Sequence, residues 1–335
     1  MAATPQETAG VLPRPVPPSN RFALLNPRSF LAPAIDIAPA EAGDMVIAPS
    51  GLITERMTSL AQTASAESPF FGQTWLTYYG RPGIAEMGIL GEYEIADLAP
   101  LLRKQAREYD IANGRGLGVM PAFHLVYGMA TVASGDDGNH LAYLEHEAVM
   151  AYIEAAAEEE YAVILDVQIG ALSPTEAISP ALPYLAYEHV HLAIDPEFAM
   201  VHEGQAWPGD PIGYVTAEQV NEVQSEIQRY LRRNRLAGNR VLLVHQFQGN
   251  MIVDAEQIDA SYERVAVTIS VDGWGGPWAK ITKYNAFVTP ESPYAAFKLF
   301  YRWDDPILSP GEALGTEAYG EALLIDVTPN MVIYQ

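Results

Sequence analysis

From about Gln73 onward, short runs rich in β-branched and aromatic residues alternate with longer stretches of helical periodicity. This alternation constrains the fold more than any other feature, because it is the signature of a parallel sheet joined by helices. Eight runs read as strands: "QTWLTYYG", "MGILGEY", "LGVMPAFHLV", "AVILDVQIG", "HVHLAIDP", "RVLLVHQF", "RVAVTISVD" and "FKLFYRWD". Between them, "IADLAPLLRKQAREYD" and "NHLAYLEHEAVMAYIEAAAEEE" repeat apolar residues at helical spacing. Ser173 stands three residues before Glu176, and Thr216 three before Gln219, which is capping-box spacing at a helix start.

Eight strands with helical crossovers predict an α/β fold, a (β/α)8 TIM barrel with short extra N- and C-terminal strands. The expected organisation is a Pro-rich tether over residues 1–35 and a single domain over 36–335, with the barrel core at about 73–310. One junction strains this reading. Only "RPGIAEM" separates the first two runs, whereas a parallel crossover needs a dozen or more residues, so that connection is irregular or one strand is misplaced. An open doubly wound sheet is the competing architecture. "NGRGLG" precedes a strand instead of opening a helix, which argues against a dinucleotide site. The flanking pieces "AIDIAPAEAGDMVIAPSG" and "EALLIDVTPNMVIYQ" are expected to pair and cap the N-terminal end of the barrel.

Alternate residues of a strand face opposite ways. In "AVTISVD" this puts Val265, Val267, Ile269 and Val271 under the helices, and Ala266, Thr268, Ser270 and Asp272 in the lumen. The same parity turns His189, His191, Ala193 and Asp195 inward, as well as Asp166 and Gln168. In the last run, Lys298, Arg302 and Asp304 face in while Phe297, Leu299, Tyr301 and Trp303 face out. Polar groups in a lumen are costly unless they pair or line a wet pocket. Buried ion pairs of Lys298 or Arg302 with Asp166 or Asp272 are one way to satisfy them.

Acids gather at the strand ends, where barrel active sites are built: Glu92, Asp166, Asp195, Glu197, Asp272, Asp304 and Asp305, with His124 and His245 beside them. The long loops there carry Trp207, Trp274 and Trp278 among glycines, flat faces suited to sugar rings and equally to lids over a core. A glycosidase needs two carboxylates, and Asp166, Asp195 and Asp272 are the catalytic candidates. Glu92, His124, Gln168, Glu197, Trp207, His245, Trp274, Trp278 and Asp304 are the substrate-binding candidates. A metal hydrolase would instead draw on His124, Asp166, Asp195, His245 and Asp272, but no recognised metal spacing is present, so no metal or cofactor is expected. His189 and His191 sit too early in their strand to reach the mouth. No nucleophile elbow exists, and "SGDDGN" reads as a solvated turn.

Charge and composition narrow the partners. With 42 acids against 19 bases and a formal net charge of −23, the chain repels nucleic acid and anionic membranes and favours neutral or cationic partners. No run approaches the roughly 18 apolar residues of a membrane span. The opening "MAATPQETAGVLPRPVPPSN" has no apolar signal core and reads as an extended tether. The expectation is the mature body of an exported or lipid-anchored envelope protein, with Met1 added.

Strand-end acids in "ILDVQIG", "LAIDPEF" and "ISVDGWGG", over about Gln73 to Pro310, resemble a (β/α)8-barrel glycoside-hydrolase-like domain of a secreted bacterial protein. The resemblance implies a barrel facing a polysaccharide. It does not transfer a catalytic pair: the large retaining clan carries glutamates after strands four and seven, where this chain has Asp166 and Asp272, and the chitinase-type D-x-D-x-E run is absent. Three functions therefore stand: an extracellular hydrolase of glycosidic bonds, a non-catalytic surface barrel presenting aromatics to glycans or to copies of itself, and a metal-dependent hydrolase.

Overall fold

The computed structural model describes residues 66–320 and 323–335. Eight parallel strands form the barrel: β1 (Gln73–Gly80), β2 (Gly118–Ala130), β3 (Ala162–Val167), β4 (Val190–Ile194), β5 (Arg240–Gln246), β6 (Val265–Val271), β7 (Tyr294–Leu299) and β8 (Met331–Tyr334). Each pairs with its neighbour in chain order, and β1 pairs with both β8 and β2, so the sheet closes and leaves no open edge among these eight. A short strand, Leu141–Tyr143, adds antiparallel to the end of β2.

The crossovers are α1 (Ile95–Asn113), α2 (His146–Glu159), α3 (Pro174–Ile178), α4 (Ala217–Arg233), α5 (Pro277–Phe287) and α6 (Pro310–Leu314). Both expected capping boxes form: Ser173 and Thr216 accept from the backbone N–H of Glu176 and Gln219, whose side chains reach back to the cap backbone. A third, Ser309 with Glu312, opens α6. Between β5 and β6 only the single turn Ala255–Gln257 is helical.

Strand parity divides the core in two. Val163, Leu165, Leu192, Ile194, Leu242, Val244, Val267, Phe297 and Leu299 point outward and pack with Leu98, Leu102, Ile153, Val223 and Ile227 of the helices. Burying each such side chain stabilises the fold by roughly 1.5–3 kcal/mol. Trp75, Ala122, Ile164, Ala193, Val241, Leu243, Ala266, Ala296, Met331 and Ile333 fill the lumen instead.

Three expectations need correction. "MGILGEY" is not a strand. It forms a helical turn, Ile89–Glu92, folded against the end of β1. A Cβ at Gly91 would strike the carbonyl oxygens of Ile84 and Arg81, so the glycine permits this close return of the backbone. The eighth strand is Met331–Tyr334, which lies past Pro310 inside the segment expected to cap the barrel. In the last run the strand starts at Tyr294 and stops at Leu299, so period-two parity fails beyond it. Arg302 is exposed and pairs with Glu92, and Trp303 turns toward the mouth instead of outward. The tether and "AIDIAPAEAGDMVIAPSG" lie outside the described residues.

Candidate functional site

The C-terminal ends of the strands converge on a buried polar network. Its centre is His245 near the end of β5, whose Nε2 lies 2.9 Å from Asp166 Oδ2 and whose Nδ1 lies 2.8 Å from Asp272 Oδ2. Lys298 of β7 donates to the same Asp272 oxygen at 3.2 Å, and the Ser270 hydroxyl donates to Asp272 Oδ1 at 2.5 Å. The Lys298 ammonium also sits 3.8 Å from the centre of the Tyr79 ring, a cation–π contact. His124 of β2 completes the group, its Nε2 3.5 Å from Asp166 Oδ2, an electrostatic approach too long for a strong hydrogen bond.

Above this network lies a cleft of about 60 Å³. Asp195, Glu197, Asp272, Gln168 and Lys298 supply its polar wall, and Tyr79, Trp274, Phe300 and Trp303 its aromatic one. Asp195 follows β4 and caps the turn Pro196–Phe198, its Oδ1 accepting from the Glu197 N–H at 3.1 Å. Gln168 is fixed by accepting from Ala130 N–H at 2.8 Å.

Electrostatics separates the carboxylates. Burial works against the Asp272 charge, but Lys298 and His245 outweigh it and hold the carboxyl well below the usual range. Asp166 is likewise held down, burial being overcome by His245 and His124. Burial dominates at Asp195, which has no cation in direct contact, and its pKa rises to about 6. Burial and then the Asp195 charge push Glu197 well above its ordinary value, although it keeps part of its surface on the cleft, where solvent screens some of this effect. For His245, burial disfavours the cation, yet Asp272 and Asp166 win and raise its pKa to about 10. Burial lowers that of His124 to about 4, so it is neutral.

Of the residues read from the sequence, Asp195, Asp272, Gln168, Glu197 and Trp274 line the cleft, and Asp166, His124 and His245 lie in the buried network. The others lie elsewhere. Glu92 is taken up by Arg302 at 2.6 Å. Asp304 is a structural clasp, accepting from the N–H groups of Gly275 and Phe300 and facing Lys280 at 3.3 Å. Trp207, on a loop, and Trp278, in the first turn of α5, are exposed and lie outside the cleft lining. Sequence reasoning missed Tyr79, although Trp75, Thr77 and Tyr79 alternate along β1 and the same parity rule would have found it. Lys298 was read as an ion-pair partner, and it is one for Asp272.

The strand order defines the class: a closed parallel (β/α)8 barrel with a carboxylate-rich C-terminal mouth. No protein-family model matches the chain, and no curated protein does. Among solved structures it is similar to 2,3-dimethylmalate lyase, a PEP mutase/isocitrate lyase superfamily member, at 10% identity over 87% of this chain and 81% of that one, with a TM-score of 0.40. It is also similar to a GH138 enzyme targeting pectin rhamnogalacturonan II, at 13% identity over 84% of this chain but only 37% of that one, with a TM-score of 0.39. Likeness at this level carries neither an activity nor a substrate to this chain. Among the described residues, no helix is long and apolar enough to cross a membrane.

Proposed function

We propose that the protein hydrolyses glycosidic bonds at the C-terminal mouth of the barrel, acting outside the cytoplasm on a neutral glycan. One observation carries this reading: a single cleft brings a carboxyl whose pKa is raised to about 6, Asp195, together with a carboxylate held ionised, Asp272, against aromatic walls. Environments that push two carboxyl groups apart in this way assign the acid and the charged partner. Asp195 gives its proton to the glycosidic oxygen. Asp272 faces the positive charge that develops on the sugar ring and acts as nucleophile or electrostatic partner. Its tight pairing with Lys298 makes it a weak base, which suits that role better than activating water. Burial, and then the charges of Asp166 and Asp272, raise the pKa of Asp195, and Tyr79 and Gln168 are placed to bind hydroxyls. Trp274 and Trp303 offer faces to the sugar ring.

The test is turnover on a panel of neutral oligosaccharides and polysaccharides, followed by the anomeric signal in proton NMR. Cleavage that disappears in Asp195→Asn and Asp272→Asn supports the reading, and no cleavage of any member by the wild type removes it. A second reading, a glycan-binding barrel without turnover, is favoured by the size of the cleft. About 60 Å³ holds a handful of waters, less than a sugar ring, unless the aromatic wall moves. Calorimetric binding of an oligosaccharide that is never cleaved would select it.

A further inference from the structure

We infer that His124, Asp166 and His245 form a site for a divalent transition-metal cation of the zinc class, set beneath the floor of the cleft. One ligand atom from each residue falls within 4.8 Å of the other two, and all three side chains are buried. Asp166 Oδ2 stands 2.9 Å from His245 Nε2 and 3.5 Å from His124 Nε2. Two ligands bound tetrahedrally at about 2.1 Å lie roughly 3.4 Å apart, so the observed spacings bracket a coordination edge.

A second observation points independently to a ligand. Among the described residues, neither ring nitrogen of His124 has a hydrogen-bond partner, nor has Asp166 Oδ1, and both side chains are buried. A buried imidazole and a buried carboxylate oxygen left unpaired are costly. A cation held between the two residues would bond one nitrogen of His124 and the Asp166 carboxylate.

The surroundings fit as well. A ligating histidine characteristically donates its other ring N–H to a carboxylate, which fixes the tautomer and turns the remaining lone pair inward. His245 Nδ1 is set against Asp272 Oδ2 in this manner, and Asp272 is itself fixed by Ser270 and Lys298. Two imidazoles with one carboxylate suit zinc, iron, cobalt or nickel better than magnesium or calcium, which prefer all-oxygen shells. Binding exchanges the Nε2 proton of His245 for the cation and releases that proton to solvent. The cation then supplies the positive charge that Asp166 and Asp272 otherwise draw from the imidazolium. The inference does not depend on glycosidic chemistry.

The test uses the full chain, stripped with a chelator and titrated with Zn²⁺ by calorimetry, and with Co²⁺ followed by visible absorption. The expected result is one equivalent bound, a tetrahedral Co²⁺ spectrum, a higher Tm with zinc, and at least about 100-fold weaker binding in His124→Gln. His191→Gln, a substitution of a buried histidine at the opposite end of the barrel, is expected to bind as the wild type does and controls for general loosening. Absence of stoichiometric uptake overturns the site, as does zinc binding that survives His124→Gln unchanged. Metal uptake by a protein inactive on every glycan would end the hydrolase reading and leave the site standing.

Discussion

The two ends of the barrel are made by the same strands yet hold opposite chemistry. At the N-terminal end the lumen carries Trp75, Met120, Ala162, Val241, Ala266 and Tyr294, and a cavity of about 480 Å³ opens beside them. At the C-terminal end the lumen carries His124, Asp166, Asp195, His245, Asp272 and Lys298, with a cleft of only about 60 Å³. Size alone would choose the wrong end. In barrels of this class the C-terminal rim does chemistry and the opposite face does stability, and the titratable groups agree.

Two buried histidines on adjacent strands sharpen the contrast. His191 of β4, at the bottom, packs edge-on against Trp75 and accepts a hydrogen bond from the Val241 N–H at 3.0 Å. Burial, and then the nearby Arg240 charge, keep it neutral well below its ordinary pKa. His245 of β5, at the top, lies between two carboxylates and is charged up to about pH 10. Equal burial thus gives opposite protonation, because the partners decide it.

The largest expected effect of breaking this division is at the mouth. Asp195→Asn keeps the oxygen that accepts the Glu197 N–H but loses the proton donor, so turnover should fall by roughly 10²–10⁴-fold while Tm changes little. Kinetics on a cleaved glycan with a thermal melt checks both halves. Asp272→Asn should lose activity and also stability, by roughly 3–5 kcal/mol, because it strips a buried lysine and a buried imidazolium of their common partner. Denaturant unfolding measures that part. At the opposite end, Trp75→Ala should cost about 3–5 kcal/mol and leave kcat per folded molecule unchanged. A large fall in kcat there would erase the comparison.

The histidines predict opposite pH slopes of stability. For His191 the unfolded chain takes up a proton below about pH 6.5 and the folded chain does not, so stability falls as pH drops through that value. For His245 the folded pKa is raised to about 10, so its contribution is complete below the unfolded value of about 6.5 and is lost as pH rises through 10. Tm measured from acid to alkaline pH should therefore lose its acid-side slope in His191→Gln and its alkaline-side slope in His245→Gln. The smallest effect is expected at the rim. Trp278→Ala removes a side chain that is 60% exposed, so stability should stay within about 0.5 kcal/mol. Any rise in KM for a polymer would mark Trp278 as a contact for an extended chain.

Local pattern determined much of this molecule. Period-two alternation in "AVTISVD", "AVILDVQ" and "HVHLAID" fixed which residues enter the lumen, and short-range capping boxes placed Ser173 and Thr216 at helix starts. Both depend on neighbours within a few residues, so a linear reading finds them. Tertiary structure decided which run closed the barrel, because four or five apolar residues suit a helical turn as readily as a strand: Ile89–Glu92 became the first and Met331–Tyr334 the second. It also decided that His245 meets Asp166 across 79 residues of chain and Asp272 across 27, and so which carboxyl is charged. Charge states in a dry interior depend on contacts across space, and no spacing along the chain encodes them.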